Sequence, residues 1–244
     1  MWLIDSSIGR KFIMSITGVF LVLFLAFHSI MNFVAVINPE GYNAISAFLG
    51  ANWYALIATM VLAGGFIVHI LYALYLSFQN MRARGNEKYA VNSRQDGVSW
   101  SSQNMLILGV VVLGFLALHL FQFWSKMQLV ELMHKAGAHI EAHMINGVAV
   151  DAVEHAAKGA YWVKYYFMES QLAVPYAITY IVWLCALWFH LTHGVWSALQ
   201  TVGLNNKTWL PRVKSVSNVV ATIIILLFMA VPVCGLLKLG PLFN

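Results

Sequence analysis

The chain has 244 residues, of which 61% are hydrophobic and only 9% are charged, and its mean hydropathy is +0.75. Soluble domains carry about a quarter charged residues, so this composition excludes an ordinary soluble protein and indicates a membrane protein. The net charge of +5 is therefore tested as a signal of membrane topology, and nucleic acid is not an expected partner.

Five segments are apolar over the roughly 20 residues that a helix needs to cross the hydrocarbon core of a bilayer. They are residues 12–36, 54–78, 105–123, 175–199 and 216–237. The sequence therefore predicts an all-α membrane protein, a single integral membrane domain over residues 1–244, in which the first four helices form a bundle. The 38–53 connection is predicted to end in a short interfacial helix, and the long 126–172 connection to form a small cap outside the membrane.

Lysine and arginine predict the orientation, because the cytoplasmic loops of membrane proteins carry an excess of both. Nine of these residues lie in the N-terminal segment and in the second and fourth connections. They are Arg10, Lys11, Arg82, Arg84, Lys88, Arg94, Lys207, Arg212 and Lys214. We therefore expect the N-terminus and the loops 79–103 and 203–215 inside, and the C-terminus and the 126–172 loop outside.

Each of the first four predicted helices carries a histidine within an apolar run. These are His28, His69, His119 and His190. A titratable ring in lipid is costly, so it is a functional hypothesis by default. One such histidine could be a structural hydrogen bond to a neighbouring helix. Four of them, with no Asp, Glu, Lys or Arg in the spans to pair with, favour the axial ligands of two haems in a four-helix bundle.

Local patterns predict how the four histidines pair. His28 and His119 each follow a glycine by ten residues, whereas His69 and His190 are each followed by a small, an aliphatic and a large aromatic residue. The two glycines are Gly18 and Gly109. We predict that His28 and His119 bind an outer haem and that His69 and His190 bind an inner one. Imidazole on both faces leaves no open position, so such haems carry electrons and do not bind oxygen.

Five further histidines need a separate interpretation. His193 lies one helical turn from His190 and on the same face, so it competes as a ligand. The tail that His190 shares with His69 favours His190, and leaves His193 as a hydrogen-bond donor near a haem propionate or a quinone, or as a structural residue. The other four lie in the 126–172 loop and are expected to be solvated, with a metal site as the alternative. They are His134, His139, His143 and His155.

Taken together, the histidine-bearing stretches resemble a known family. They are SITG at 15–18, FHSIMNF at 27–33, VHILYALY at 68–75, LHL at 118–120 and FHLTHGVWS at 189–197. The pattern is similar to the dihaem cytochrome b membrane-anchor subunit of bacterial succinate:quinone oxidoreductases, the succinate dehydrogenases and fumarate reductases, in the form with a single five-helix chain. The 126–172 loop matches this family least.

This resemblance implies a complex of three subunits. A flavoprotein would hold FAD and the dicarboxylate site, an iron–sulfur protein with its clusters would dock on the basic inner face, and this chain would be the anchor with two haems b. Electrons would pass between succinate or fumarate and a quinone, usually menaquinone, in the bacterial cytoplasmic (inner) membrane. The chain alone would bind no dicarboxylate. A dimer of the whole complex is compatible with this reading.

The resemblance also implies roles for individual residues. Ser15 matches a position that meets a haem propionate in relatives. Some relatives that oxidise menaquinol use two glutamates. One of these positions is Trp188 here, which removes support for its proton path. Glu40 is the only candidate for the other, where it could exchange protons with a quinone; a solvated loop acid is the alternative.

Two other functions are alternatives. The chain could be the dihaem cytochrome b anchor of another respiratory complex, such as a hydrogenase or a formate dehydrogenase, although those often place two histidines on one helix. It could also be a transporter whose external histidines capture a metal. A transporter is expected to carry polar residues along a path and broken helices, and the spans offer almost no polar residues apart from histidine.

Overall fold

The computed structural model describes residues 6–84, 99–141, 143–145, 148–201, 203–204 and 206–244. Its helices are α1 Ser7–Ile37, α2 Pro39–Ala51, α3 Trp53–Arg84, α4 Trp100–Gln103, α5 Met105–His119, α6 Gln128–Lys135, α7 Ala152–Ala156, α8 Gly159–Lys164, α9 Ala173–Thr201 and α10 Trp209–Leu237. Two π-helical turns, Leu120–Trp124 and Tyr165–Glu169, extend α5 and α8. One antiparallel hairpin pairs β1 His143–Ile145 with β2 Val148–Val150.

Within these described residues, five helices are long and apolar enough to cross a membrane. They are α1, α3, α5 with its π-helical turn, α9 and α10. The protein is therefore a multi-pass membrane protein, and the prediction of five spanning helices is confirmed. Such helices suit lipid because every backbone hydrogen bond is made within the segment. Apart from the one hairpin, the regular structure of the described ranges is helical, as predicted.

Most of the spanning helices are longer than their apolar runs. Helix α1 begins already at Ser7, and α3 continues to Arg84. Helix α10 begins at Trp209, seven residues before the predicted start. The side chain of Asn206 accepts hydrogen bonds from the backbone N–H groups of Thr208 and Trp209 at 3.0 and 2.8 Å, which satisfies donors at the start of α10. A spanning helix can therefore begin in a polar segment, several residues before the start that hydropathy predicts.

The predicted helix in the 38–53 connection is present as α2. Asn38 caps it, because its side-chain oxygen accepts from the backbone N–H of Gly41 at 3.0 Å. Pro39 occupies the first turn, where its missing N–H costs nothing.

The segment after α5 folds against α2. The side-chain oxygen of Asn43 accepts a hydrogen bond from the backbone N–H of Ala160 at 2.9 Å, and Lys135 donates to the carbonyl of Gly50. A β-carbon on Gly159 would lie 2.7 Å from the ring of Tyr42, so glycine permits this approach of α8 to α2. Burial raises the pKa of Tyr42 to about 12, so its hydroxyl stays protonated at physiological pH. We call residues 126–172 the cap.

The chain divides into two compact units, and several spanning helices contribute one part to each. Unit 1 comprises Met1–Ala26, Val61–Val112 and Ala186–Ile223. Unit 2 comprises Phe27–Met60, Leu113–Cys185 and Ile224–Asn244. His69 and His190 fall in unit 1, and His28 and His119 fall in unit 2, so each predicted ligand pair lies within a single unit.

Candidate haem-ligand sites

The outer pair, His28 and His119, lies within unit 2 on α1 and α5. The centroids of the two imidazole rings are 5.9 Å apart, and the ring planes are nearly perpendicular at 82°. An imidazole nitrogen binds a transition metal at about 2 Å, so two imidazoles on opposite faces of one ion have centroids about 6 Å apart. The spacing of the outer pair therefore fits two axial ligands of one metal.

Aromatic rings surround the outer pair. Phe228 lies 5.6 Å from the ring of His28, measured between centroids. Phe123 and Trp183 lie 5.3 and 5.7 Å from the ring of His119. Such a shell limits the access of water to the pair and lowers the local dielectric.

Polar groups also contact the outer pair. The Asn32 side-chain amide donates to the backbone carbonyl of His28 at 2.9 Å and lies 3.4 Å from Nε2 of the same residue. The Tyr180 hydroxyl lies 3.5 Å from Nδ1 of His119 and donates to the side-chain oxygen of Gln122 at 2.8 Å.

Gln122 belongs to the π-helical turn that follows His119 and is only 1% exposed. π-Helical turns occur often at functional sites. Gln122 and Tyr180 were not among the residues predicted from the sequence. Both are polar residues within apolar spans, which could have drawn attention to them. Whether they contact each other depends on how each helix is rotated about its axis, which the sequence does not reveal.

The inner pair, His69 and His190, lies within unit 1 on α3 and α9. A glycine faces each ring. A β-carbon on Gly18 would lie 3.7 Å from Cε1 of His69, and a β-carbon on Gly109 would lie 3.7 Å from Cε1 of His190. The glycines that precede the outer pair in sequence therefore lie beside the rings of the inner pair, a relationship that spacing along one helix does not reveal.

His193 has different surroundings from His190. Its ring packs edge-on against Trp196, with centroids 5.0 Å apart, and Nζ of Lys214 lies 4.6 Å from the centroid of that indole. His193 also lines a surface cleft of about 230 Å³ together with Ser99, Ser101, Trp188, Lys214 and Asn218. Indole rings and polar side chains line this cleft together, and a position there is compatible with the predicted secondary role of His193.

Two residues that the resemblance suggested have other contacts. Ser15 is buried and donates its only hydroxyl hydrogen to the carbonyl of Ala198 at 2.7 Å, so it has no hydrogen left to donate to a propionate. Glu40 lies exposed in the first turn of α2, where a negative charge is favourable beside the helix N-terminus. Trp188 donates from its indole nitrogen to the Thr222 hydroxyl at 3.0 Å.

The cap histidines differ among themselves. His134 and His139 are exposed, as expected for solvated residues. His155 is 4% exposed and packs 4.3 Å from the ring of Tyr161, so the expectation of a surface residue is wrong there. The side chain of His143 lies outside the described residues, as do Lys88 and Arg94. Elsewhere in the described ranges, no group of three or more His, Cys, Asp or Glu side chains could hold a metal ion.

The sites thus consist of two histidine pairs, one pair in each unit, and the ring spacing of His28 and His119 fits two ligands of one metal ion. No family model, curated protein or solved structure matches this chain, so the family resemblance drawn from its motifs stays a prediction.

Proposed function

We propose that this chain is the membrane anchor and electron-transfer subunit of a succinate:quinone oxidoreductase, with two b haems. It would link a flavoprotein and an iron–sulfur subunit to the quinone pool. The observation that carries this proposal is the spacing of His28 and His119, whose ring centroids lie 5.9 Å apart within one unit. Support also comes from the second pair, His69 and His190, which lies within the other unit.

The residues of each pair would act as ligands on both faces of one iron. A haem held in this way supplies a one-electron carrier with no free coordination position. His28 and His119 would hold the outer haem, and His69 and His190 the inner one. Small residues leave space beside the inner ligands, because a β-carbon at Gly18 or Gly109 would only just reach the histidine ring.

The resemblance suggests the partners, and the charge distribution together with the spans suggests the location. Arg10, Arg82, Arg212 and Lys214 would face the cytoplasm in a bacterial inner membrane, with the N-terminus inside and the C-terminus outside. That basic face would receive the iron–sulfur subunit, with the FAD-containing flavoprotein beyond it. The quinone, menaquinone in the family that the motifs resemble, would exchange electrons with the anchor from the lipid phase.

Purification of the tagged chain from its native membrane tests the proposal. A pyridine haemochrome assay should give two haems b per chain, and the co-purifying proteins should include a flavoprotein with covalent or tightly bound FAD and an iron–sulfur protein. Fewer than two haems would contradict the ligand assignment. If the partner is a hydrogenase or a formate dehydrogenase, the haem assignment stands and the chain belongs to another respiratory complex.

Activity of the chain without partners is a second test. The isolated, haem-loaded anchor should neither oxidise succinate nor reduce fumarate, whereas the intact complex should do so with a quinone or a quinone analogue as the electron partner. Dicarboxylate turnover by the anchor alone would contradict the proposed division of labour.

A further inference from the structure

A buried hydroxyl controls the hydrogen bonding of His119. Tyr180 is 7% exposed, and its hydroxyl donates to the side-chain oxygen of Gln122 at 2.8 Å. A phenol has one hydrogen to give. Because that hydrogen is given to Gln122, the oxygen can only accept from Nδ1 of His119, which lies 3.5 Å away. The contact therefore favours the form of His119 that carries its proton on Nδ1.

The same arrangement recurs at His69 in unit 1. The hydroxyl of Thr17 donates to the backbone carbonyl of Ile13 at 2.9 Å, a bond within its own helix. Its oxygen lies 3.3 Å from Nδ1 of His69. With its hydrogen already donated, the Thr17 oxygen is an acceptor for an Nδ1–H group. Two unrelated side chains, a threonine and a tyrosine, thus present the same chemistry to one histidine of each pair.

We propose that Thr17 and Tyr180 are positioning residues that hold His69 and His119 as Nδ1–H tautomers and leave Nε2 of each ring for haem iron. This inference rests on the proposed function, because it assumes that both histidines are iron ligands. A ligand histidine commonly donates its second N–H to an acceptor, which fixes the tautomer and the orientation of the ring and raises the basicity of the ligand.

The second histidine of the inner pair lacks such support. Nδ1 of His190 is buried and has no hydrogen-bond partner in the part of the chain that the structure describes. Thr17 is therefore the hydroxyl through which the inner pair can be tuned. At the outer pair, Gln122 accepts the hydrogen of the Tyr180 hydroxyl and so keeps that hydrogen turned away from His119.

The electrostatic consequence has a defined sign. A hydrogen bond from Nδ1–H to an oxygen makes the imidazole more electron-donating, which stabilises ferric over ferrous iron. Removal of the acceptor should raise the midpoint potential of the haem concerned. For a one-electron couple, a tenfold change in the reduction equilibrium corresponds to about 59 mV. We expect a change of about this size, at the lower end of the 10- to 100-fold losses in metal affinity or activity that follow removal of a ligand's hydrogen-bond partner.

Redox titration of the intact complex, followed by visible spectroscopy, tests the inference. Tyr180→Phe should raise the midpoint potential of one of the two haems, which corresponds to an about tenfold change in its reduction equilibrium. The midpoint potential of the other haem should be unchanged. Thr17→Val should raise the midpoint potential of the other haem. The matched controls are Tyr176→Phe, one turn before Tyr180, and Thr59→Val, whose hydroxyl donates to the carbonyl of Ala55 at 2.8 Å without contact to a histidine. Both controls should titrate as the unmodified complex does.

Conservative variants separate the hydroxyl from its packing. Thr17→Ser keeps the acceptor oxygen and should keep both potentials. If Thr17→Val loses a haem while Thr17→Ser keeps two, the hydroxyl requirement stands; loss in both variants overturns it. Gln122→Met leaves the Tyr180 phenol without its acceptor and should shift the same component as Tyr180→Phe, by a smaller amount.

Two failures are distinguishable. If the unmodified complex contains two haems and neither Tyr180→Phe nor Thr17→Val moves a potential, or if the controls move it equally, the positioning role is wrong and the proposed function stands. If the unmodified chain binds no haem, the proposed function and this inference both fail.

Discussion

A β-carbon added to Gly109 would lie 3.7 Å from Cε1 of His190, which is ordinary van der Waals contact. Alanine therefore fits at this position, whereas a longer side chain would project into the space beside the imidazole ring. We predict that Gly109→Ala keeps two haems per chain and that Gly109→Leu loses the inner one. Pyridine haemochrome content per purified chain measures the difference.

Gly114 supplies the control on the same helix, because a β-carbon there meets nothing within 4 Å. Gly114→Leu should keep both haems. If Gly109→Leu and Gly114→Leu retain haem equally, the space beside His190 is not what accommodates the cofactor.

A second prediction separates the two histidines of α9. His190 faces a glycine, whereas His193 packs on Trp196 and lines a surface cleft. We expect His190→Ala to lose the inner haem while it keeps the outer one, or to prevent assembly. His193→Ala should keep two six-coordinate low-spin haems, with at most a shifted potential. Absorption and electron paramagnetic resonance spectra of the purified variants distinguish these outcomes.

The opposite result would change the ligand assignment from His190 to His193, one helical turn away. If His193→Ala lost a haem and His190→Ala kept both, the tail that His190 shares with His69 would be a misleading guide to the ligand.

A third prediction concerns orientation. The distribution of lysine and arginine predicts that the cap lies outside and the loop before α10 inside. After replacement of Cys185 and Cys234 by serine, an impermeant thiol reagent should label His139→Cys in intact cells and Lys207→Cys only after permeabilisation. His139 is suitable because it is exposed, whereas the neighbouring Gly137 has a φ of 83° that a cysteine would adopt only with strain. The reversed labelling pattern would invert the topology.

A fourth prediction concerns the packing of α10 in unit 2. A β-carbon on Gly235 would lie 2.7 Å from the backbone carbonyl oxygen of Phe167, and a backbone atom cannot rotate away as a flexible side chain can. Gly235→Ala should therefore destabilise the protein by about 1–3 kcal/mol, the usual range for overpacking. The loss can be measured as a lower temperature of aggregation or of haem release in detergent.

Gly64→Ala is the comparison for that measurement, because a β-carbon on Gly64 meets nothing within 4 Å. It should leave stability unchanged or raise it by up to about 1 kcal/mol, since alanine favours a helix interior over glycine. Equal behaviour of the two variants would show that α10 can shift away from Phe167 at little cost.

The sequence predicted the spanning helices because lipid imposes a minimum apolar length on any helix that crosses it. It underestimated α10, because Arg212 and Lys214 interrupt the apolar run without interrupting the backbone hydrogen bonds. The π-helical turn after His119 was missed, since a one-residue change in hydrogen-bond register has no distinct composition.

The candidate sites were predictable only in part. The four histidines stand out because a titratable ring among apolar residues is rare. Their neighbours do not stand out. Thr17 and Tyr180 look like ordinary helix residues in the sequence, and their contacts with His69 and His119 depend on the rotation of each helix about its own axis. Gly18 and Gly109 were noticed, but which histidine each one faces could not be read from spacing along one helix.

The contacts of these two glycines have a consequence for how such a chain can arise. Gly18 on α1 faces His69 on α3, and Gly109 on α5 faces His190 on α9, so one two-helix pattern occurs twice. Each ligand pair takes one histidine from each copy. An ancestor with a single helix pair could therefore assemble both sites as a symmetric homodimer, because a twofold axis makes each subunit contribute the same residues to the other. Duplication and fusion of that ancestor's gene would produce the four histidine-bearing helices, whereas α2, the cap and α10 would need a separate origin. Divergence of the two halves would let Thr17 in one and Tyr180 in the other be selected independently.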